Sequence, residues 1–142
     1  MAFRFSPYIS FPGNGREAMT YYQSIFGGQL ELMTYGDLPA EAAAQLPFSP
    51  PASALAHGQL NAGSLQLSGS DALGDELPAL HSEVYSFLIS PETVTGAEAI
   101  MEKFTATGAE IAMPFELAPW GSHYGQLKDP FGILWAFDVD PV

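Results

Sequence analysis

His57 is the side chain on which proton-transfer chemistry would turn. The 142-residue chain holds three histidines and no cysteine. That excludes disulfides, thiolate metal sites and cysteine nucleophiles. An imidazole titrates near pH ~6.5, so it can act as a base or a polar contact at neutrality. His57 opens the stretch "HGQLNAGSLQLSGSD", and Tyr124 holds the same place in "YGQLKDPFGILWAFDVD". The plainer reading of His57 ranks first: a half-buried histidine bonded to a neighbouring strand or flap. His81 lies in an acidic crossing and is expected to be exposed. His123 should point away from its neighbour Tyr124 by strand alternation. Neither is spaced with a second metal donor.

Aromatic residues are the other candidates. Trp120 and Tyr124 lie close together in the sequence, where rings would either enclose a planar ligand or seal the core. Phe48 shares that ambiguity. Ser64, Ser68 and Ser70 have no accompanying His–acid arrangement, so a hydrolase triad is not supported. Asp129-Pro130-Phe131-Gly132 reads as architecture. Its aspartate can bond the turn's own backbone, proline presets φ, and glycine accepts a positive φ.

The elements that position these residues repeat. A short aromatic and β-branched run occurs at residues 8–11 and again at 84–89, each predicting a strand. A capping signal follows each run: Asn14 three residues before Glu17, and Thr95 three residues before Glu98. Apolar residues then recur at helical spacing, Ala18, Tyr22, Ile25 and Phe26 in one copy, Ala97, Ile100, Met101 and Phe104 in the other. Gly27-Gly28 and Gly108 predict the helix ends. A strand follows from Gln29 or Ala109, and the glycine-punctuated hairpins complete each copy. The order is strand, helix and three strands, written twice. The first copy is longer because of "DLPAEAAAQLPFSPPAS", which holds four of the twelve prolines. It predicts an ordered flap with a short helix over residues 40–46.

Composition bounds the rest. Hydrophobic residues make up 47% and charged ones 14%, as in an ordered domain with a real core. Four basic against sixteen acidic residues give a net charge of −12, which disfavours nucleic acid and anionic membranes as partners. No apolar run approaches a membrane span, and the N-terminus carries no export signal, so a cytoplasmic location is expected.

The paired βαβββ units, "YYQSIFGG" on the first helix and "WGSHYGQLKDPFGILWAF" near the end resemble the vicinal-oxygen-chelate superfamily, and within it the PhnB-like glyoxalase/bleomycin-resistance proteins. The resemblance covers nearly the whole chain and implies an α+β fold. Repeat units over residues 5–71 and 83–140, joined by an acidic linker, would form curved mixed sheets around a cup. It further implies a homodimer, a small organic ligand and, in many members, one divalent metal. Some PhnB-like proteins carry a demethylubiquinone methyltransferase label, but no glycine-rich nucleotide loop is present here.

In the superfamily's metalloenzymes the ligands come from the first and last strands of each unit. Carried over, those places hold Ser6, Pro7 or Tyr8, then Gln66 or Leu67, then Tyr85 or Glu83, and finally Trp135 or Ala136. Such a set does not supply the converging imidazole and carboxylate donors a divalent ion needs. The expectation is therefore a small-molecule-binding protein with no cofactor and no metal, and no assigned reaction. Its ligand-binding residues would be His57, Trp120, Tyr124, Tyr8, Tyr85, Gln66 and Phe48. The rival is a metal-dependent lyase or isomerase, in which His57 with Glu83 or Gln66 builds an unusual site.

Overall fold

The computed structural model describes residues 2–141. The chain divides into two compact units, Met1–Ala79 and Leu80–Val142. The first contains β1 (Tyr8–Phe11), α1 (Gly15–Phe26), β2 (Gln29–Thr34), a 3₁₀ turn (Tyr35–Asp37), the short α2 (Ala40–Ala44), β3 (Leu55–Ala62) and β4 (Leu65–Asp71). The second contains β5 (Phe87–Ile89), α3 (Val94–Thr105), β6 (Glu110–Leu117), β7 (His123–Lys128) and β8 (Leu134–Val139). Each unit is a four-stranded mixed sheet, in the order β1-β4-β3-β2 or β5-β8-β7-β6. The first strand of each runs parallel to the last, and the other pairings are antiparallel. This is the α+β architecture of two tandem βαβββ units, and neither sheet closes on itself.

Each sheet buries one face under its own helix. In the first unit Ile9, Phe11, Leu60 and Leu67 are buried with Ala18, Met19, Tyr22 and Ile25 of α1. In the second, Phe104 of α3 packs its ring 5.5 Å from that of Trp135 and 6.4 Å from that of Phe137. Strand alternation sends every other residue to the opposite face, where the functional candidates lie. Among the described residues no helix is long and apolar enough to cross a membrane.

The first helix starts after Asn14, as the sequence reading has it, but without the expected capping bond, and the second starts two residues earlier than expected. Asn14 makes no side-chain cap, and its Oδ1 is buried without a partner. Asp71, at the end of β4, takes over instead. Its Oδ1 accepts from Gly15 N at 2.7 Å and its Oδ2 from Leu55 N at 2.8 Å. A Cβ at position 15 would lie 2.7 Å from Asp71 Oδ1 and 2.9 Å from Leu55 Cδ2, so a larger residue there would push the capping carboxylate aside. In the second unit the cap is Thr93, whose Oγ1 accepts from Gly96 N at 3.0 Å, and Thr95 lies inside α3. The helix ends do fall at Gly27-Gly28 and Gly108, all with positive φ.

Two boundaries also moved. The fifth strand begins at Phe87 rather than residue 84, leaving Tyr85 outside the sheet. The flap helix is shorter than expected, Ala40–Ala44. The flap opens on Asp37, whose Oδ2 accepts from both the backbone N and the Oγ1 of Thr34 at 2.9 Å. Those bonds hold its carboxyl below the ordinary value of 3.8, with Arg16 adding a smaller pull and desolvation opposing.

Candidate functional site

The register of the first sheet fixes which side chains share the face turned away from α1. Tyr8 pairs with Ser68, Ser68 with Gln59, and Gln59 with Glu31. Paired residues share a face, and alternation adds Ser70, Gln66, His57 and Asn61. The face is therefore polar and half-exposed, in contrast to the apolar face beneath the helix.

Its most specific feature is a pair. Tyr8 Oη lies 3.4 Å from His57 Nδ1, and the two rings stack with centroids 6.0 Å apart and planes at 29°. Tyr8 is on β1 and His57 on β3, with β4 between them. Neighbouring strands are ~4.8 Å apart, so side chains two strands away meet only across small residues. Ser68 and Ser70 provide that low floor. Ser68 is itself tied to Ser6, Oγ to Oγ, at 3.3 Å. The plainer reading of His57 thus describes its geometry: half-buried, with a polar contact to a nearby strand. With Nδ1 directed at the phenol, Nε2 is the ring nitrogen available to a ligand. The tautomer decides whether it would accept or donate.

In the second unit the corresponding positions are filled differently. Leu88 pairs with Ala136, Ala136 with Gln126, and Gln126 with Met113. Tyr124 and Gln126 are joined, Gln126 Nε2 donating to Tyr124 Oη at 2.9 Å. Thus Tyr124-Gln126 occupies the place that His57-Gln59 holds in the first unit. His123 turns the other way, its ring 5.7 Å from that of Phe115.

The remaining candidates scatter. Gln66 lies on the same face as His57, opposite Asn61. Phe48 packs edge-on against Tyr35 in the flap, with centroids 6.1 Å apart. Tyr85 is 75% exposed ahead of β5, and Trp120 is 71% exposed in the turn before β7.

Sequence reasoning overlooked two things. Gln59 and Gln126 stand one alternation from His57 and Tyr124, so the repeated Gly-Gln-Leu already contained them. It also passed over a groove of about 320 Å³ in the second unit, lined by His81, Glu83, Glu110, Gln126, Lys128 and Leu134 with Ile111 and Ala112. No local spacing signals that cluster, because strand pairing and the crossing segment assemble it.

The register also shows which side chains of the outer parallel strands meet on the face turned away from the helix. Among the pairs on that face are Tyr8 with Ser68 and Leu88 with Ala136. Trp135 faces α3 instead, with its ring fully buried. A phenol, a hydroxyl and two aliphatic side chains do not fit a divalent ion. Among the described residues, no group of three or more His, Asp or Glu is arranged to hold one.

Known proteins share this arrangement. The sequence model of the Glyoxalase/Bleomycin resistance protein/Dioxygenase superfamily matches residues 5–137. Protein YjdN of Escherichia coli (strain K12) is 27% identical over 143 residues, covering 94% of this chain and 93% of that protein. The crystal structure of protein PA1353 from Pseudomonas aeruginosa is 27% identical with a TM-score of 0.79, covering 99% of this chain and all of that one (100%). A structure described as a putative 3-demethylubiquinone-9 3-methyltransferase, PhnB protein, from Bacillus cereus reaches a TM-score of 0.72 at 18% identity, covering 96% and 99%. At that identity the likeness is one of fold.

Proposed function

We propose that this chain, which belongs to the Glyoxalase/Bleomycin resistance protein/Dioxygenase superfamily, binds a small organic molecule on the polar face of its first sheet and needs no resident metal to do so. The observation that carries this reading is the Tyr8–His57 pair over the serine floor of β4. Stacked rings form a wall for a planar or apolar body. The free imidazole nitrogen, Gln59 and Gln66 orient its polar atoms. Gln126 and Tyr124 provide an analogous polar pair on the second sheet. The paired side chains of the outer strands do not fit a divalent ion, so binding rests on ring contacts and hydrogen bonds. No reaction is assigned.

The protein acts as a homodimer in this reading. Val84, Leu88, Leu117 and Trp120 are all large, apolar and more than half exposed. Exposed apolar side chains in such number are what burial against a second copy would cover. Light scattering on the purified protein should give twice the 15.2 kDa chain mass.

A thermal-shift screen over hydrophobic cations and quinones tests the binding directly. Stabilisation by a hit should fall by about 1–3 kcal/mol of binding free energy in His57→Ala, which removes a ring wall and a polar contact. Stoichiometric Ni, Zn, Mn or Co in untagged protein, lost in His57→Ala, would replace this reading with the metal-dependent one.

A further inference from the structure

The groove is lined by residues of the second unit alone, and its chemistry differs from that of the Tyr8–His57 face. Glu110 and Lys128 are register partners on β6 and β7, and Lys128 Nζ stands 3.9 Å from Glu110 Oε2. That is an ion pair, but too long for a hydrogen bond. The chain has only four basic residues, so a lysine placed in a groove is a specific feature of it. Leu134, Ile111 and Ala112 give the groove apolar lining, and Gln126 adds an amide.

The other wall is the crossing segment, and it is held in place. Ser82 Oγ accepts from Val84 N at 3.1 Å, forming a local turn around Glu83. The backbone of His81 sits over Gly132, where a Cβ would lie 3.5 Å from His81 N. The turn and the seat present His81 and Glu83 to the groove, and among the described residues neither side chain has a hydrogen bond or ion pair.

We infer that this groove binds a free α-amino acid. An α-amino acid carries an ammonium and a carboxylate on the same carbon. A loose pair of opposite charges is the complement of that arrangement: the ligand's ammonium pairs with Glu110 and its carboxylate with Lys128. One weak protein pair is replaced by two charge-assisted contacts. Glu83 supplies a second carboxylate for the ammonium, and His81 a second polar contact at the rim. The side chain lies along Leu134, the register partner of Lys128. At about 320 Å³ the space is at the low end for ligand pockets, which suits a metabolite of leucine's size. A plain organic cation would leave Lys128 facing its positive charge, and a plain acid would face Glu83 and Glu110.

Leucine, 3-methylbutylamine and 4-methylpentanoate separate these cases, because the last two lack the carboxylate or the ammonium group. Calorimetric titration of the full chain at low salt should show saturable leucine binding, about tenfold or more tighter than for either analogue. Glu110→Gln and Lys128→Met should each weaken leucine binding about tenfold, with unchanged circular dichroism because Glu110 is exposed and Lys128 is only partly buried. His57→Ala should leave leucine binding unchanged, which separates this groove from the first-sheet face. The inference is overturned by equal binding of amine and amino acid, by binding that survives both groove variants or is lost in His57→Ala, or by no saturable binding of leucine or any other standard amino acid.

Discussion

Asp71 does at the residue scale what Asn14 promised in the sequence. Its two oxygens take the amides of Gly15 and Leu55, tying the start of α1 to the start of β3. The residue is only 8% exposed, so both amides depend on it rather than on water. Asp71→Asn would keep the shape but turn an NH₂ toward one of the two donors. We expect a loss of about 1–3 kcal/mol in unfolding free energy by urea titration. A stability equal to wild type would show that solvent reaches those amides. Asn14 was legible as a cap because its type and its spacing to Glu17 fit the local rule. The actual acceptor lies 56 residues away in sequence, and local rules do not see that far. Tyr8 and His57 raise the same difficulty. Each was legible as a candidate, but their contact depends on two serines in the strand between them.

The β7–β8 hairpin shows the opposite outcome at the scale of an element. Asp129-Pro130-Phe131-Gly132 reads as a turn in the sequence, with aspartate bonding the turn backbone. Asp129 Oδ1 does accept from Phe131 N at 2.8 Å and Ile133 N at 3.0 Å. Its Oδ2 also accepts from Trp135 Nε1 at 2.9 Å, so the turn fixes the ring at the centre of the second core. Asp129→Ala leaves three donors without this acceptor, two of them backbone. Thermal or urea unfolding should lose about 3 kcal/mol or more, with an early change in Trp135 fluorescence. A loss no larger than that of an ordinary surface substitution would contradict this account. Turn chemistry was legible because it is local. The start of β5 was not, because Val84 and Tyr85 have strand propensity but no partner. Phe87 already pairs with Trp135 and β8 begins at Leu134, so the chain before Phe87 soon runs out of strand to bond.

Across the whole molecule, the duplication was readable because each copy repeats its own punctuation of glycines, helix spacing and hairpin. What composition adds at this scale is charge. Sixteen acidic residues face four basic ones, a net of −12, so even if every cation is paired, as Lys128 is with Glu110, most carboxylates have no cation to face. Folding concentrates that charge without much pairing to offset it, so self-repulsion opposes the compact state. Salt screens repulsion between surface charges, with a Debye length that falls from ~30 Å at 0.01 M to ~10 Å at 0.1 M. Surface ion pairs that salt would weaken are scarce and worth little here. The melting temperature should therefore rise steadily as NaCl is added over that range, by calorimetry at pH 7. A chloride salt is the right choice, since sulfate would also strengthen apolar burial and confuse the cause. A flat or falling melting temperature would mean that attractive pairs outweigh the repulsion. The same screening should weaken amino-acid binding in the Glu110–Lys128 groove, because that binding depends on formal charges.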